Sequence, residues 1–156
     1  MKLVVGKRRD SYIQFGDGKF TLDELPKLSL WHPQVKLLVL SACQTAWEEE
    51  KALLGFSGLA IQSGATAAMG SFWSVSDEGT MGLMTSFYEE LRQVPIKSEA
   101  LRRAQVAMLR GEIRLEGNEL VTPGGRYPLP PELENSRADL RHPYYWSAFT
   151  TIGNPW

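Results

Sequence analysis

The chain has one cysteine and two histidines in 156 residues. A lone thiol excludes an internal disulfide and fits a reducing compartment. Cys43, His32 and His142 stand far apart and lack ligand spacing, so they do not make a zinc site. No apolar run reaches the length of about 18 residues that a membrane span needs. No secretory-leader pattern or lipidation motif is found, and the expected location is cytoplasmic. An excess of one charge is also missing. With 17 basic and 18 acidic residues the net charge is -1, and no like-charge block exceeds the length of Glu48-Glu49-Glu50. That excludes the electrostatic footprint of a nucleic-acid or anionic-membrane partner. No G-x-G-x-x-G or Walker loop follows a core strand, and Gly16-Asp17-Gly18 falls in a hairpin, so a nucleotide-binding reading is weak. Repeats and low-complexity tracts are absent too.

What remains is an ordinary globular composition, 43% hydrophobic and 22% charged, sized for one domain. Leu3-Val4-Val5 at the start predicts either an edge strand or a loose terminus. Tyr12, Ile13 and Phe15, then Gly16-Asp17-Gly18 and Phe20, predict a small hairpin. Thr21 with Glu24 three residues on predicts a capping box for a short helix that ends before Pro26. Val35 to Leu40 is aliphatic except for Lys36 and lacks in/out alternation, which predicts an interior strand over about Val35–Ser41. Trp47–Ala52 reads as a surface loop and Gly55–Gly64 as a short helix. Ala67–Trp73 is a second core strand. A helix capped by Ser76 or Asp77 buries Leu83, Met84, Phe87, Tyr88 and Leu91. A further helix over about Ser98–Arg110 packs through Ala100, Leu101, Ala104, Ala107 and Met108. Gly117-Asn118 centres a second hairpin. Pro123–Asp139 reads as a Pro/Gly-rich surface loop with a helical turn near Glu132, and about Trp146–Ile152 as a last strand. Alternating strands and helices indicate an α/β fold.

Cys43 lies just past the interior strand, where reacting groups gather in open α/β sheets. A lone cysteine is more often a small buried hydrophobe than a nucleophile. The segment Leu40-Ser41-Ala42-Cys43-Gln44-Thr45 nevertheless resembles the cysteine segment of the CHAT domain, of the caspase-like clan that also holds separase and the caspases. Gly55-Phe56-Ser57-Gly58-Leu59 with Gly64-Ala65 resembles the family's next helix. Ser71-Phe72-Trp73-Ser74-Val75-Ser76-Asp77-Glu78 resembles its Leu-Trp-x-Val-x-Asp-Glu stretch, with Phe72 in place of the usual Leu. Ala100-Leu101-Arg102-Arg103-Ala104-Gln105 and His142-Pro143-Tyr144-Tyr145-Trp146-Ser147-Ala148-Phe149 are two further likenesses.

The resemblance implies a three-layer α/β/α caspase-like fold with a mostly parallel sheet whose first strands are missing. The insert at 111–141 is typical of cyanobacterial forms that carry TPR repeats upstream. It implies Cys43 as the nucleophile of a cysteine peptidase. Ser41, Phe72, Trp73 and Ser74 would line the primary substrate pocket, with core packing an equal alternative for the two aromatic residues. No cofactor is implied. The implied partners are a protein or peptide substrate and a TPR or effector module. The family's base is a His-Gly histidine upstream, and this chain has no such pair. His32 precedes the strand that Cys43 follows, on the order of 20 Å away at ~3.3 Å per residue. His142 belongs to a signature that accompanies the true base in the family and reads as a loop or packing residue. The chain is therefore expected to be the C-terminal part of a longer protein and inactive alone. The competing reading is a non-catalytic interaction module of the same fold. Asp77 is read as a helix cap, with a selector of basic side chains as the alternative.

Overall fold

The computed structural model describes residues 2–4, 12–14, 18–40 and 57–156. Two compact units emerge, Met1–Ser74 with Phe149–Pro155, and Val75–Ala148 with Trp156. Each mixes strands and helices, as expected of an α/β chain.

The first unit opens with an antiparallel sheet of β1 (Lys2–Val4), β2 (Tyr12–Gln14) and β3 (Lys19–Thr21). Leu3 and Val4 of the opening apolar patch thus pair as an edge strand, and β2–β3 is the expected hairpin; Val5 and the turn residues Gly16 and Asp17 lie outside the described residues. Glu24 reaches back to the start of the next helix, accepting bonds from the Thr21 amide at 2.7 Å and the Thr21 hydroxyl at 2.9 Å. The helix does not stop at Pro26. It runs over Leu22–Leu28 as a 3-10 helix and ends at Ser29, whose φ is 38°. Proline's fixed φ falls within 3-10 geometry, so the tight winding continues with one amide donor fewer.

The second sheet of this unit holds β4 (Leu38–Leu40), β5 (Ala67–Ser71) and β9 (Phe149–Gly153), in the order β4–β5–β9. β4 and β5 are parallel and β9 is antiparallel to β5, so the described part of the sheet is mixed rather than mostly parallel. Among the described strands the middle one is β5, not the segment from Val35. Ala67, Ala68 and Met69 are at most 1% exposed, while Leu38 and Val39 stay half-buried. The strand stops at Ser71, before Phe72 and Trp73.

The parallel pair is joined by α1, described over 57–62. Its end is a Schellman motif. Gly64, at φ +110°, donates to the Ile61 carbonyl at 3.0 Å, and Ala65 donates to the Ala60 carbonyl at 3.0 Å. The indole of Trp31 lies over Gly64, where a Cβ would come within 2.6 Å of the ring. Ala60 and Ala65 join Leu25, Leu40 and Ala68 in a buried cluster, packed by Phe20, Leu38 and Ile152 among others.

In the second unit α2 (Asp77–Leu91) and α3 (Lys97–Leu109) pack as a helical hairpin. The five predicted α3 positions are all buried. On α2 the buried face is Gly79, Gly82, Leu83, Ser86 and Phe87, whereas Tyr88 is half exposed. Gly82 explains the rotation: a Cβ there would meet Leu140 at 3.1 Å and Ile113 at 3.3 Å, so the helix approaches by its small residues. A meander follows, β6 (Arg114–Glu116), β7 (Glu119–Thr122) and β8 (Gly125–Pro128). β8 corrects the reading of this stretch as loop, and a 3-10 turn at Pro131–Leu133 supplies the predicted helical turn. Glu89 of α2 ties the meander down, accepting from the Thr122 hydroxyl at 2.8 Å and the Tyr127 hydroxyl at 2.7 Å. The same carboxylate pushes the Tyr127 phenol above its ordinary value.

Replacing Gly64 with Ala is expected to cost about 1–2 kcal/mol for the left-handed backbone, with a further loss from the displaced indole. Thermal melts of Gly64→Ala in wild-type and Trp31→Ala backgrounds separate the two, since only the backbone part persists without the ring.

A second expectation concerns α3. Hydrogen bonds from Arg102, then Arg103, hold the Glu99 carboxyl down to about 2. The folded value lies below the unfolded one, so this pairing favours the fold at neutral pH. Its contribution fades as pH falls from the ordinary glutamate range toward 2. A carboxyl-carbon NMR titration should find that midpoint, and Arg102→Ala with Arg103→Ala should return it to the ordinary range.

Candidate functional site at the carboxyl ends of the parallel strands

The register of the parallel pair is Leu38↔Ala68, Val39↔Met69 and Leu40↔Gly70. β4 and β5 therefore run out at the same edge of the sheet. β9 begins at that edge, with Phe149 opposite Ser71. Beyond β4 the chain continues into Ser41 and Cys43, and beyond β5 into Phe72, Trp73 and Ser74. Ser41, Cys43, Gln44, Thr45 and the expected loop Trp47–Ala52 lie outside the described residues. Phe72, Trp73 and Ser74 are half-buried. Val75, the next residue in sequence, is 1% exposed.

The opposite edge is closed by main-chain bonds. Leu30 donates to the Ser63 carbonyl at 2.8 Å, Thr66 to the Val35 carbonyl at 2.8 Å and Asn154 to the Thr66 carbonyl at 2.9 Å. His32 is exposed here, in the turn bridged by Trp31 and Gln34. β4 lies between it and the carboxyl edge.

In the second unit, the Ser76 hydroxyl accepts from the Gly79 amide at 3.3 Å and caps α2. Asp77 is exposed in the first turn, where a carboxylate faces the positive end of the helix dipole. His142 also acts as a cap. Its Nδ1 accepts from the Tyr144 amide at 3.2 Å, at the start of the 3-10 turn Pro143–Tyr145. An accepting Nδ1 leaves the ring proton on Nε2. Gln105 of α3 donates to the Trp146 carbonyl at 3.1 Å, and Tyr145 lies against Gly79, where a Cβ would come within 2.9 Å of its ring. Among the described residues no three His, Cys, Asp or Glu side chains gather into a metal site. No helix there is long and apolar enough to cross a membrane.

The family profile of the CHAT domain matches residues 3–154. The chain belongs to the CHAT domain family. No curated protein and no solved structure matches it. The CHAT match runs through both compact units, so the family's domain includes the helical hairpin and the meander as well as the parallel pair. The segment His142–Phe149 acquires a physical account within this CHAT domain: His142 caps the turn, Tyr145 and Trp146 dock on the helices, and Phe149 starts β9. Sequence reading missed Gly79 as the partner of Tyr145. Its signal was available in Gly79 and Gly82 spaced three apart on one helix face.

Because Ser76 accepts the capping bond, Ser76→Ala should cost about 1 kcal/mol of stability. Asp77→Ala should cost only a few tenths, the size of an exposed dipole interaction. Urea denaturation of the two variants checks the ordering.

Proposed function

We propose that this CHAT domain is a cysteine-peptidase domain of the caspase-like clan, with Cys43 as nucleophile and protein or peptide as substrate. The observation that supports it is the parallel pairing of β4 with β5. The pairing ends both strands at one sheet edge, and Cys43 stands three positions beyond Leu40. Such an edge is where α/β sheets concentrate their chemistry.

In this reading the Cys43 thiolate attacks the scissile carbonyl carbon while the carbonyl π electrons move to oxygen. The Cys43 backbone N–H donates to that oxyanion. Collapse expels the amine, which takes its proton from an imidazolium, and leaves a thioester on Cys43. Water, deprotonated by the same imidazole, releases the acid and the free thiol. Ser41, Phe72, Trp73 and Ser74 line the pocket for the substrate side chain. The half-buried Phe72 and Trp73 would suit an apolar stem. The reaction calls for no cofactor.

The imidazole is the part this reading assigns elsewhere. His32 lies at the amino edge of β4, and the Nδ1 of His142 is engaged in a helical cap. The base is therefore supplied by a His-Gly pair upstream in a longer cytoplasmic protein, together with a TPR or effector module that switches the domain on. The same two observations favour the second reading, a non-catalytic interaction module that keeps the fold. An unassisted thiol ionises near 8.5 and one beside an imidazole well below pH 8. Iodoacetamide labelling of Cys43 against pH, with cleavage of a peptide library, is the test. The isolated chain should show no turnover and a labelling midpoint near the ordinary thiol value. The longer gene product should label at low pH and cleave, with cleavage lost on Cys43→Ala. An inert thiol in that longer product establishes the interaction module instead. Turnover by the isolated chain, lost on Cys43→Ala, would sink the claim that the base lies outside it.

A further inference from the structure

The meander of the second unit leaves one side of β6 unpaired among the described residues, since its strand order is β6–β7–β8. Gly117 and Asn118 form the two-residue turn between Glu116 and Glu119. Gly117 has φ +60° and Asn118 is not among the residues of positive φ, the pattern of a II′ turn with glycine at its first central position. In such a hairpin the flanking pair Glu116–Glu119 exchanges both hydrogen bonds, and alternation makes Leu115–Leu120 the non-bonded pair. The N–H and C=O of Leu115 therefore point away from β7. Neither has a partner among the described residues.

That free edge borders a trough. Two hollows, of about 400 Å³ and about 370 Å³, meet at Leu115 and Ala138, with the chain from 135 to 141 as the far wall. Arg110, Arg114, Arg137 and Arg141 line them against one carboxylate, Asp139. This is a local concentration in a chain of net charge -1. Two of the four are neutralised: Arg114 by Glu116 at 2.6 Å and Arg141 by Asp139 at 2.7 Å. Arg110 has only a loose approach to Glu112 at 3.9 Å. Arg137 is exposed and has no carboxylate in ion-pair reach among the described residues.

We infer that this trough binds an extended acidic segment of a partner polypeptide, which adds a strand at Leu115 and sets a carboxylate on Arg137. The main-chain donor and acceptor of Leu115 match the backbone of an extended peptide, the mode by which sheet edges capture ligands. Alternate side chains of such a peptide face the same wall, so a carboxylate at every second position reaches the arginines. With Arg110 only loosely paired and Arg137 without a carboxylate in ion-pair reach among the described residues, the trough suits a short carboxylate series better than a polyphosphate backbone, whose binding draws on many cationic contacts. The inference is independent of the thiol.

The test uses the full chain and a short fluorescent peptide of alternating Glu and Val. Comparison ligands are its Lys-for-Glu counterpart, the acidic peptide N-methylated at alternate amides, and an oligouridylate of equal length. The acidic peptide should bind by fluorescence anisotropy, slow hydrogen exchange at the Leu115 amide, and bind Cys43→Ser equally well. Arg137→Ala should weaken it at least about tenfold, the scale of one charge-assisted hydrogen bond. N-methylation in the register that faces Leu115 should weaken it similarly. Arg137→Glu should turn preference toward the Lys peptide, which also shows that the altered protein is folded. Absence of binding, indifference to Arg137→Ala, equal affinity for both N-methylated registers, or preference for the oligouridylate overturns the inference.

Discussion

The parallel contact between β4 and β5 is the constraint on which the first unit depends. Parallel strands cannot be joined by a tight turn, so the chain needs a crossover, here carrying α1. The crossover has to end in register. The Schellman motif at Gly64 stops the helix, and the bond from the Thr66 amide to the Val35 carbonyl lines up the starts of both strands. A slip by one residue would turn Leu38 and Leu40 to the other face and remove Leu40 from the cluster of Ala60, Ala65 and Ala68. Small residues dominate that cluster because helix and strand backbones approach closely, and Trp31 over Gly64 follows the same logic.

The second unit relies on polar ties as much as on apolar packing. Phe87, Leu83, Met108, Ile113 and Leu120 supply its buried apolar volume. Glu89 joins a helix to two strands, and Ser136 donates to Glu78 at 2.8 Å, tethering the Pro-rich segment to the first turn of α2. These bonds, two of them partly buried, fix direction where the meander has little side-chain volume to offer.

Features set by local chemistry were legible in the sequence. The Thr21–Glu24 cap, the Ser76 cap, the Gly117-Asn118 turn and the alanine face of α3 each follow from a few neighbouring residues. Features set by tertiary context were not. β8 contains Pro128 at its end and glycine at its start, which reads as loop until Val121 and Thr122 supply a partner. Of the face expected on α2, Leu83 and Phe87 are buried, but hydrophobicity ranks Tyr88 above Ser86, whereas close packing selects the smaller side chain. The middle place of β5 followed from neighbours on both sides, which no reading of Ala-Ala-Met-Gly-Ser by itself discloses. For the candidate site, β5 stops at Ser71, short of the expected Trp73, and Phe72 and Trp73 are half-buried. The family follows from the profile match, while the surroundings of Cys43 lie outside the described residues.

Ala67 pairs with Gly153, and Ser71 with Phe149. Among the described strands, β5 of the second sheet thus completes its ladder only with a segment that follows the helical hairpin and the meander in sequence. Until then the nascent β5 has β4 on one side and an open ladder on the other, while the intervening helical hairpin and meander fold from contacts closer in sequence. The pairing of β9 with β5 is thus the contact of high sequence separation in this sheet, the kind that slows folding.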